Sequence, residues 1–194
     1  MRYPINLEIK DMKITIIGGG NVAYRKCKNF LEFGKSVSVI SPKFIDKFEL
    51  IKNKVELVYD TYKEEYIKDS FIVVAATNNK EINKNIGIYC RNYGKLVNVV
   101  DNIELSNYTV PSYIKRGDLL IGISTGGKSP SLSSKIKKEL EEKYDDSYEE
   151  YVYILGKIRQ NVIKKYKNII ERRKVLNSLV LLSLEELRNL ENEF

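Results

Sequence analysis

The sequence contains no histidine, and this absence removes the side chain that most often exchanges protons near neutral pH. It also removes the most common metal ligand among the amino acids. Any acid–base chemistry in this chain must therefore use aspartate, glutamate, lysine, tyrosine or cysteine.

Cysteine is also scarce, because only Cys27 and Cys90 occur in 194 residues. Both lie in helical patterns and neither belongs to a Cys-x-x-Cys pair, so we expect packed, reduced thiols and no metal site. Long apolar runs are missing, and the first residues lack the charged-then-apolar layout of a signal peptide. These features predict a cytoplasmic protein that does not enter a membrane.

The charge balance is positive, with 33 Lys and Arg against 26 Asp and Glu and a net charge of +7. This excess favours an anionic partner, which could be nucleic acid, an acidic surface or a polyanionic small molecule. In the C-terminal region the basic residues fall between apolar positions at helical spacing. We interpret them as a solvated helix surface and not as nucleic-acid contacts.

The most informative stretch is residues 13–26, which read KITIIGGGNVAYRK. A β-branched run ends in three glycines and a helical pattern follows at once, which is the context that a dinucleotide-binding fingerprint requires. Gly18 can make the sharp turn, and Gly20 lets a pyrophosphate approach the backbone closely. The N–H groups of residues 21–23 would then face the phosphates. The alternative is a glycine turn without a ligand.

Strand-like and helical patterns alternate through the first half of the chain. The predicted strands are 13–17, 36–40, 55–58, 71–75 and 96–100, and the predicted helices are 21–33, 43–52 and 81–93. This alternation predicts an α/β fold with a Rossmann-like parallel sheet. Ligands of such sheets bind beyond the carboxyl ends of the strands, which are followed here by residues 41–43, 76–79 and 101–102.

The pattern changes after Asp101, and we place a boundary near residue 112. A further strand follows the turn signal at 117–118, and a helix is predicted from about Pro130 to Tyr144, with Ser129 as its N-cap. From Tyr148 onward the chain reads as two helices, one with an apolar stripe from Leu155 to Ile170 and one over 174–192. The predicted organisation is a Rossmann-like domain (1–112), a small α+β segment (113–145) and a helical C-terminal region (146–194).

Two strand ends carry candidate chemistry. Ser41 stands where many NAD enzymes have an acidic residue that holds the ribose, and Lys43 lies nearby. Lys43 could favour the 2′-phosphate of NADP or could simply be exposed, so this pattern does not decide between NAD and NADP as the cofactor. Asp101 ends a predicted central strand, where it is either a catalytic carboxylate or an ordinary turn residue.

A second glycine-rich turn, residues 124–130, precedes the helix that begins near Pro130. Its N–H groups and Lys128 could receive carboxylates or phosphates, although the spacing is not that of a Walker A loop. The alternative is an ordinary capped helix start.

Together these motifs resemble one family. They are Tyr3-Pro4 with Leu7, the stretch from Ile16 to Lys26, Ala75-Ala76-Thr77-Asn78, Val97-Asn98-Val99-Val100-Asp101, and Ile123-Ser124-Thr125-Gly126-Gly127-Lys128-Ser129-Pro130. In this order and spacing they are similar to the precorrin-2 dehydrogenase/ferrochelatase module of siroheme synthase. The family often has acidic residues where this chain has Asn79 and Asn102.

The resemblance implies NAD-dependent oxidation of precorrin-2 to sirohydrochlorin on the route to siroheme, by a homodimer. Segment 113–145 would serve dimerisation, and the helical region would help to close the active site. On the family pattern Asp101 matches the catalytic aspartate. The expected cofactor-binding residues are Gly18, Gly20, Asn21, Val22, Ser41, Pro42, Lys43, Thr77 and Asn78.

The implied substrate is a tetrapyrrole that carries many carboxylates, so a cationic cleft would attract it. The expected substrate-binding residues are Ser124, Thr125, Gly126, Lys128, Lys115 and Arg116. Asp101 could accept the proton that leaves with the hydride, or could stabilise the positive charge that develops.

Three other functions are compatible with the same residues. A bifunctional dehydrogenase would also insert iron into sirohydrochlorin, although a chain without histidine offers few soft ligands for the metal. An NAD-sensing regulatory module would be expected to have an acidic residue near Ser41 and to lack the 124–130 element. A basic nucleic-acid binder would retain DNA in a salt-sensitive way.

Overall fold

The computed structural model describes residues 3–191, which form two compact units, residues 3–109 and residues 110–191. The first unit carries the glycine-rich fingerprint. The second carries the glycine-rich turn at 124–130 and the helical C-terminal region.

The first unit contains a five-stranded, fully parallel sheet. Its strands are β1 (Ile14–Ile17), β2 (Ser38–Ile40), β3 (Glu56–Val58), β4 (Ile72–Ala75) and β5 (Leu96–Val99). Their spatial order is β3-β2-β1-β4-β5, so the direction of winding reverses between β1 and β4. Such a reversal opens a crevice at the carboxyl ends of the two strands, where ligands of this fold class bind. The predicted α/β fold is confirmed.

Helices cover both faces of this sheet. Helix α1 (Asn21–Glu32) packs its buried residues with Ile16 and Val74, whereas α2 (Lys80–Asn92) packs its own with Val73. Because successive side chains of a strand point to opposite faces, the neighbouring residues 73 and 74 place the two helices on opposite sides. The near-continuous apolar character of the strands follows from this double coverage.

The helix predicted over 43–52 is wrong. The chain forms two short 3₁₀ helices there, Asp46–Leu50 and Lys52–Lys54. Ile45, Phe48 and Ile51 face the core at intervals of three residues, and the backbone bonds run from Phe48 N to Ile45 O and from Ile51 N to Phe48 O. A strict three-residue spacing matches the 3₁₀ repeat and not the 3.6-residue repeat of an α-helix.

The outer edge of β5 is covered by the chain that follows it. The Val97 N–H donates to Asn107 Oδ1 at 2.8 Å, and the Val99 N–H donates to Ser106 Oγ at 2.8 Å. The carbonyl oxygens of the same two strand residues accept from the Asn107 N–H and the Ser106 hydroxyl. The segment after β5 therefore satisfies the strand groups that a sixth strand would have bonded.

The second unit begins with an antiparallel hairpin of β6 (Ser112–Arg116) and β7 (Leu119–Ile123), turned at Gly117 with φ of +55°. Strand β7 was predicted and β6 was not. In β6 polar residues surround Ile114, the one position of the strand that is fully buried, so the apolar pattern is too weak to indicate a strand. Helix α3 (Pro130–Lys143) follows, and the Ser129 side chain accepts from the Leu132 N–H as predicted for an N-cap.

Residues 146–191 contain three helices, α4 (Ser147–Lys165), α5 (Ile169–Leu179) and α6 (Leu184–Glu191), so the prediction of two is wrong. Ile169 and Ile170 do not extend the stripe of α4, because they begin α5 and are 68% and 64% exposed. Two caps explain the breaks. Asn168 accepts the first N–H groups of α5, and Ser183 forms a reciprocal capping box with Glu186. No helix within residues 3–191 is long and apolar enough to cross a bilayer.

Both thiols are fully buried, Cys27 on α1 and Cys90 on α2, and burial raises the pKa of each to about 12. Since the thiolate is the reactive form, we expect a disulfide reagent at mildly alkaline pH to modify the native protein at least ~100-fold more slowly than the urea-unfolded chain. Absorbance of the released aromatic thiol measures both rates. Complete modification of the native protein at the unfolded rate would contradict this expectation.

Candidate functional site

The first two glycines of the fingerprint are fixed by the backbone of neighbouring loops. Gly18 has φ of +125°, and a Cβ there would lie 2.3 Å from the carbonyl oxygen of Ala76. A Cβ on Gly19 would lie 2.1 Å from the carbonyl oxygen of Lys43. Gly18 makes the sharp turn expected from the sequence. The constraint on Gly19 was missed, although three consecutive glycines are its signal.

Gly20, in contrast, is not constrained by neighbouring atoms of the protein. A Cβ added there would meet no heavy atom within 4 Å, and its φ of −91° is accessible to any residue. Helix α1 begins at the next residue, Asn21, with no side-chain cap and no acidic residue in its first turn. Its first N–H groups therefore have no side-chain cap and no competing carboxylate in the first turn, and the space beside Gly20 is open. This end of α1 fits a dinucleotide pyrophosphate, and Asn21 and Val22 are the exposed residues that would contact it.

The loop after β2 packs against the glycine loop. Ser41 is buried, and its hydroxyl donates to the Lys43 carbonyl at 2.7 Å, while the Ile45 N–H donates to the Gly19 carbonyl at 3.0 Å. Pro42 and Lys43 are exposed beside it. The Ser41 hydroxyl thus shapes the loop, and its oxygen keeps a lone pair for a ribose hydroxyl.

A second lysine lies at this end of the sheet. Lys47 Nζ donates to the side-chain oxygen of Asn21 at 3.2 Å. Sequence reasoning missed it, because residues 43–52 were expected to be an α-helix and only Lys43 among its lysines was assigned to the cofactor site.

The loop after β4 is organised by one buried side chain. Asn83 of α2 accepts at Oδ1 from the Thr77 N–H (3.1 Å) and the Thr77 hydroxyl (2.7 Å), and its Nδ2 donates to the Thr77 carbonyl (3.0 Å). Asn79 caps α2 by accepting two N–H groups of its first turn. Asn78, between Thr77 and Asn79, is exposed. The amide at position 79 therefore performs a capping role for which a carboxylate would serve equally well.

Asp101 is exposed just beyond β5, and its Oδ2 accepts from Asn83 Nδ2 at 3.2 Å. The next residue, Asn102, forms a tight turn in which its side-chain oxygen accepts from the N–H groups of Glu104 (3.0 Å) and Leu105 (3.2 Å). This turn fixes the backbone that presents the Asp101 carboxylate.

The strand register places Asp101 beside the Thr77 loop. Ala75 of β4 pairs with Val99 of β5, and Thr77 and Asp101 each lie two residues further along. Asn83 was not predicted from the sequence. Its signal was available, because a polar residue at this position interrupts the buried face of α2 formed by Ile86, Gly87 and Cys90.

In the second unit, residues 124–129 form a loop held by hydroxyl groups. Thr125 Oγ1 accepts from the Ser129 N–H at 3.1 Å and contacts Ser133 Oγ at 3.3 Å, while Ser124 Oγ accepts from the Gly126 N–H at 3.1 Å. Gly126 has φ of +63°, a conformation that favours glycine. Thr125 therefore has a structural role in this loop.

The predicted cationic residues of the second unit differ in their surroundings. Arg116 Nε lies 3.1 Å from Asp146 Oδ1, and the arginine side chain is only 19% exposed. An Arg116 nitrogen also donates to the Lys115 carbonyl at 3.0 Å. Lys128 is exposed on the glycine-rich loop. A carboxylate ligand of Arg116 would therefore compete with Asp146, whereas Lys128 is exposed to solvent. Among residues 3–191 no group of three or more His, Cys, Asp or Glu residues could hold a metal ion.

Comparison with known proteins places this arrangement in a family. Residues 5–112 match the family model described as "Putative NAD(P)-binding", and residues 116–143 match the model described as "Sirohaem biosynthesis protein central". A precorrin-2 dehydrogenase of Priestia megaterium is 32% identical over 160 residues, which cover 81% of this chain and 78% of that protein. The chain belongs to the precorrin-2 dehydrogenase family.

Structural comparison supports the family assignment. A solved structure described as SirC, precorrin-2 dehydrogenase, is similar to this chain with a TM-score of 0.80 and 26% sequence identity, with complete coverage of both chains. A siroheme synthase of Pseudoalteromonas translucida is 30% identical over 89% of this chain, but the match spans only 37% of that longer protein. Within the precorrin-2 dehydrogenase family, the shared region thus includes both the NAD(P)-binding part and the sirohaem-type central part.

The two glycines next to α1 provide a matched pair of variants. Gly19→Ala forces a Cβ against the Lys43 carbonyl, so we expect the free energy of unfolding to fall by about 2 kcal/mol. Gly20→Ala has room in the free protein, so its stability should change by less than ~1 kcal/mol. Because a methyl group at position 20 occupies the approach to the helix N-terminus, NAD affinity should fall by on the order of tenfold or more.

Urea unfolding and calorimetric NAD titration measure the two effects. If Gly20→Ala bound NAD as tightly as the wild type, the pyrophosphate would not lie against residue 20.

Proposed function

We propose that this chain oxidises precorrin-2 to sirohydrochlorin with NAD as the electron acceptor. The observation that carries the proposal is the Asp101 carboxylate, held by Asn83 at the same sheet edge as an uncapped, glycine-flanked helix N-terminus. The similarity to precorrin-2 dehydrogenases supplies the substrate and reaction class. We choose NAD over NADP because the absence of an acidic residue at the Ser41 position is ordinary in this family of NAD-dependent enzymes.

The cofactor supplies a nicotinamide ring that accepts a hydride. The protein residues must bind the dinucleotide, orient the macrocycle and manage one proton, because the oxidation removes a hydride and a proton from the substrate. We assign pyrophosphate binding to Gly18, Gly20, Asn21 and Val22, ribose contacts to Ser41, Pro42 and Lys43, and nicotinamide-side contacts to Thr77 and Asn78. Asp101 accepts the proton or stabilises the developing positive charge.

We further propose that Lys128, Lys115 and Arg116, with the backbone and hydroxyl groups of Ser124, Thr125 and Gly126, bind the carboxylates of the substrate. The net charge of +7 favours encounter with such a polyanion. Arg116 contributes through the charge of its guanidinium group, since Asp146 already contacts Nε. A cytoplasmic homodimer, with residues 113–145 serving dimerisation, completes the proposal.

Asp101→Asn tests the catalytic assignment. The amide oxygen still accepts from Asn83, but the carboxylate charge is lost, so we expect kcat to fall by on the order of 100-fold with NAD affinity little changed. Anaerobic incubation with precorrin-2 and NAD, followed by sirohydrochlorin absorbance, measures the rate.

Glu104→Gln is the matched control, because it removes an exposed carboxylate from the same turn and should leave kcat unchanged. An Asp101→Asn protein as active as this control would contradict the assignment. A wild-type protein that binds NAD but forms no product would overturn the proposed reaction and favour a sensor of NAD.

Lys128→Ala tests the substrate-binding assignment. Exposed ion pairs are weak, so we expect KM for precorrin-2 to rise by about fivefold while kcat stays close to wild type. Lys138→Ala, at an exposed position of α3, is the control and should change neither constant. Raising the ionic strength should raise the wild-type KM, because salt screens the attraction. Equal KM values for the two variants would exclude Lys128 as a carboxylate ligand.

A further inference from the structure

Asn83 is a buried polar residue whose side chain reaches two different loops of the first unit. It is 0% exposed, and it contacts Thr77 after β4 and Asp101 after β5. We propose that Asn83 is a positioning residue that fixes the Asp101 carboxylate relative to the cofactor-binding loop. The proposal rests on the function proposed above and extends it to a residue that does not touch substrate or cofactor.

The hydrogen bonds determine which way the Asn83 amide faces. Oδ1 accepts two bonds from Thr77, while Nδ2 donates one bond to the Thr77 carbonyl and one to Asp101. These four contacts use the full capacity of a carboxamide. A flipped amide would oppose its NH₂ group to the Thr77 N–H and its oxygen to the Asp101 carboxylate. The Thr77 loop therefore orients an N–H bond of Asn83 toward Asp101.

A role confined to the Thr77 loop would not need this fourth contact. Thr77 is satisfied by the other three bonds, and a carboxylate can remain solvated when it is exposed, as Asp101 is. Burial of Asn83 makes the contact rigid, because the amide cannot turn away without leaving polar groups unpaired in the core. Small displacements of a catalytic group reduce rates strongly, so a fixed donor at 3.2 Å has a kinetic consequence.

Asn83→Asp removes the donor to Asp101 while keeping the two acceptor bonds from the Thr77 N–H and hydroxyl. The new carboxylate also loses the donor bond to the Thr77 carbonyl and places a like charge against Asp101. We expect kcat to fall by about tenfold or more, while Kd for NAD and KM for precorrin-2 change by less than about threefold. Asn85→Asp introduces the same charge at an exposed position of α2 and should leave kcat unchanged.

A reciprocal exchange tests the contact directly. In Asn83→Asp/Asp101→Asn the donor and acceptor of the 83–101 contact trade places, so part of the melting temperature lost in Asn83→Asp should be recovered while activity stays low. The bond to the Thr77 carbonyl stays lost in both variants. If Asn83→Asp does not fold, the double variant and Asn83→Ser carry the test. Asn83→Ser shortens the side chain so that it no longer reaches Asp101, and its kcat should fall while NAD still binds.

The proposal is overturned if the wild type is active and Asn83→Asp or Asn83→Ser retains wild-type kcat. It is also overturned if the losses of melting temperature in the double variant add without recovery. An inactive wild type that binds NAD would instead remove the proposed reaction, and recovery of stability in the exchange would still report the contact between residues 83 and 101.

Discussion

The candidate site depends on close backbone packing of three loops at the carboxyl edge of the parallel sheet. The carbonyl oxygens of Ala76 and Lys43 occupy the space that side chains on Gly18 and Gly19 would need. Because the contacts are made by main-chain atoms, the position of the glycine loop depends on the paths of its neighbours and not on their side chains. The uncapped start of α1 is oriented by this packing, and the room beside Gly20 remains for a ligand.

Polar side chains hold the loops beyond the strand ends, where backbone pairing between the strands stops. Asn83 links the loops after β4 and β5, and Asn102 closes the turn that carries Asp101. Each is an amide with fixed acceptors and donors and no charge of its own. The exposed carboxylate is thus held by neutral groups, so its position does not depend on a salt bridge that ionic strength would weaken.

Strong periodicity and glycine chemistry made much of the first unit predictable from the sequence. The five parallel strands, α1 and α2 were found because their apolar residues recur at strand or helix spacing. Helix α3, in the second unit, was found from its Ser129 cap and Pro130. The 3₁₀ turns at 46–54 and the break before α5 were missed, because a three-residue spacing and an Asn cap differ little from a helical pattern. Asn83 was missed because its role requires two loops that are distant in sequence. Asp101 and Lys128 were candidates from their positions, and the family resemblance supplied their specific roles.

The covered edge of β5 restricts how the first unit can associate. Open strand edges recruit further strands, either from the same chain or from another molecule. Here Ser106 and Asn107 occupy the outward N–H and C=O groups of Val97 and Val99. The sheet cannot be continued by backbone pairing at that edge, so aggregation through β5 is disfavoured. Any contact that another protein makes there must recognise side chains and shape.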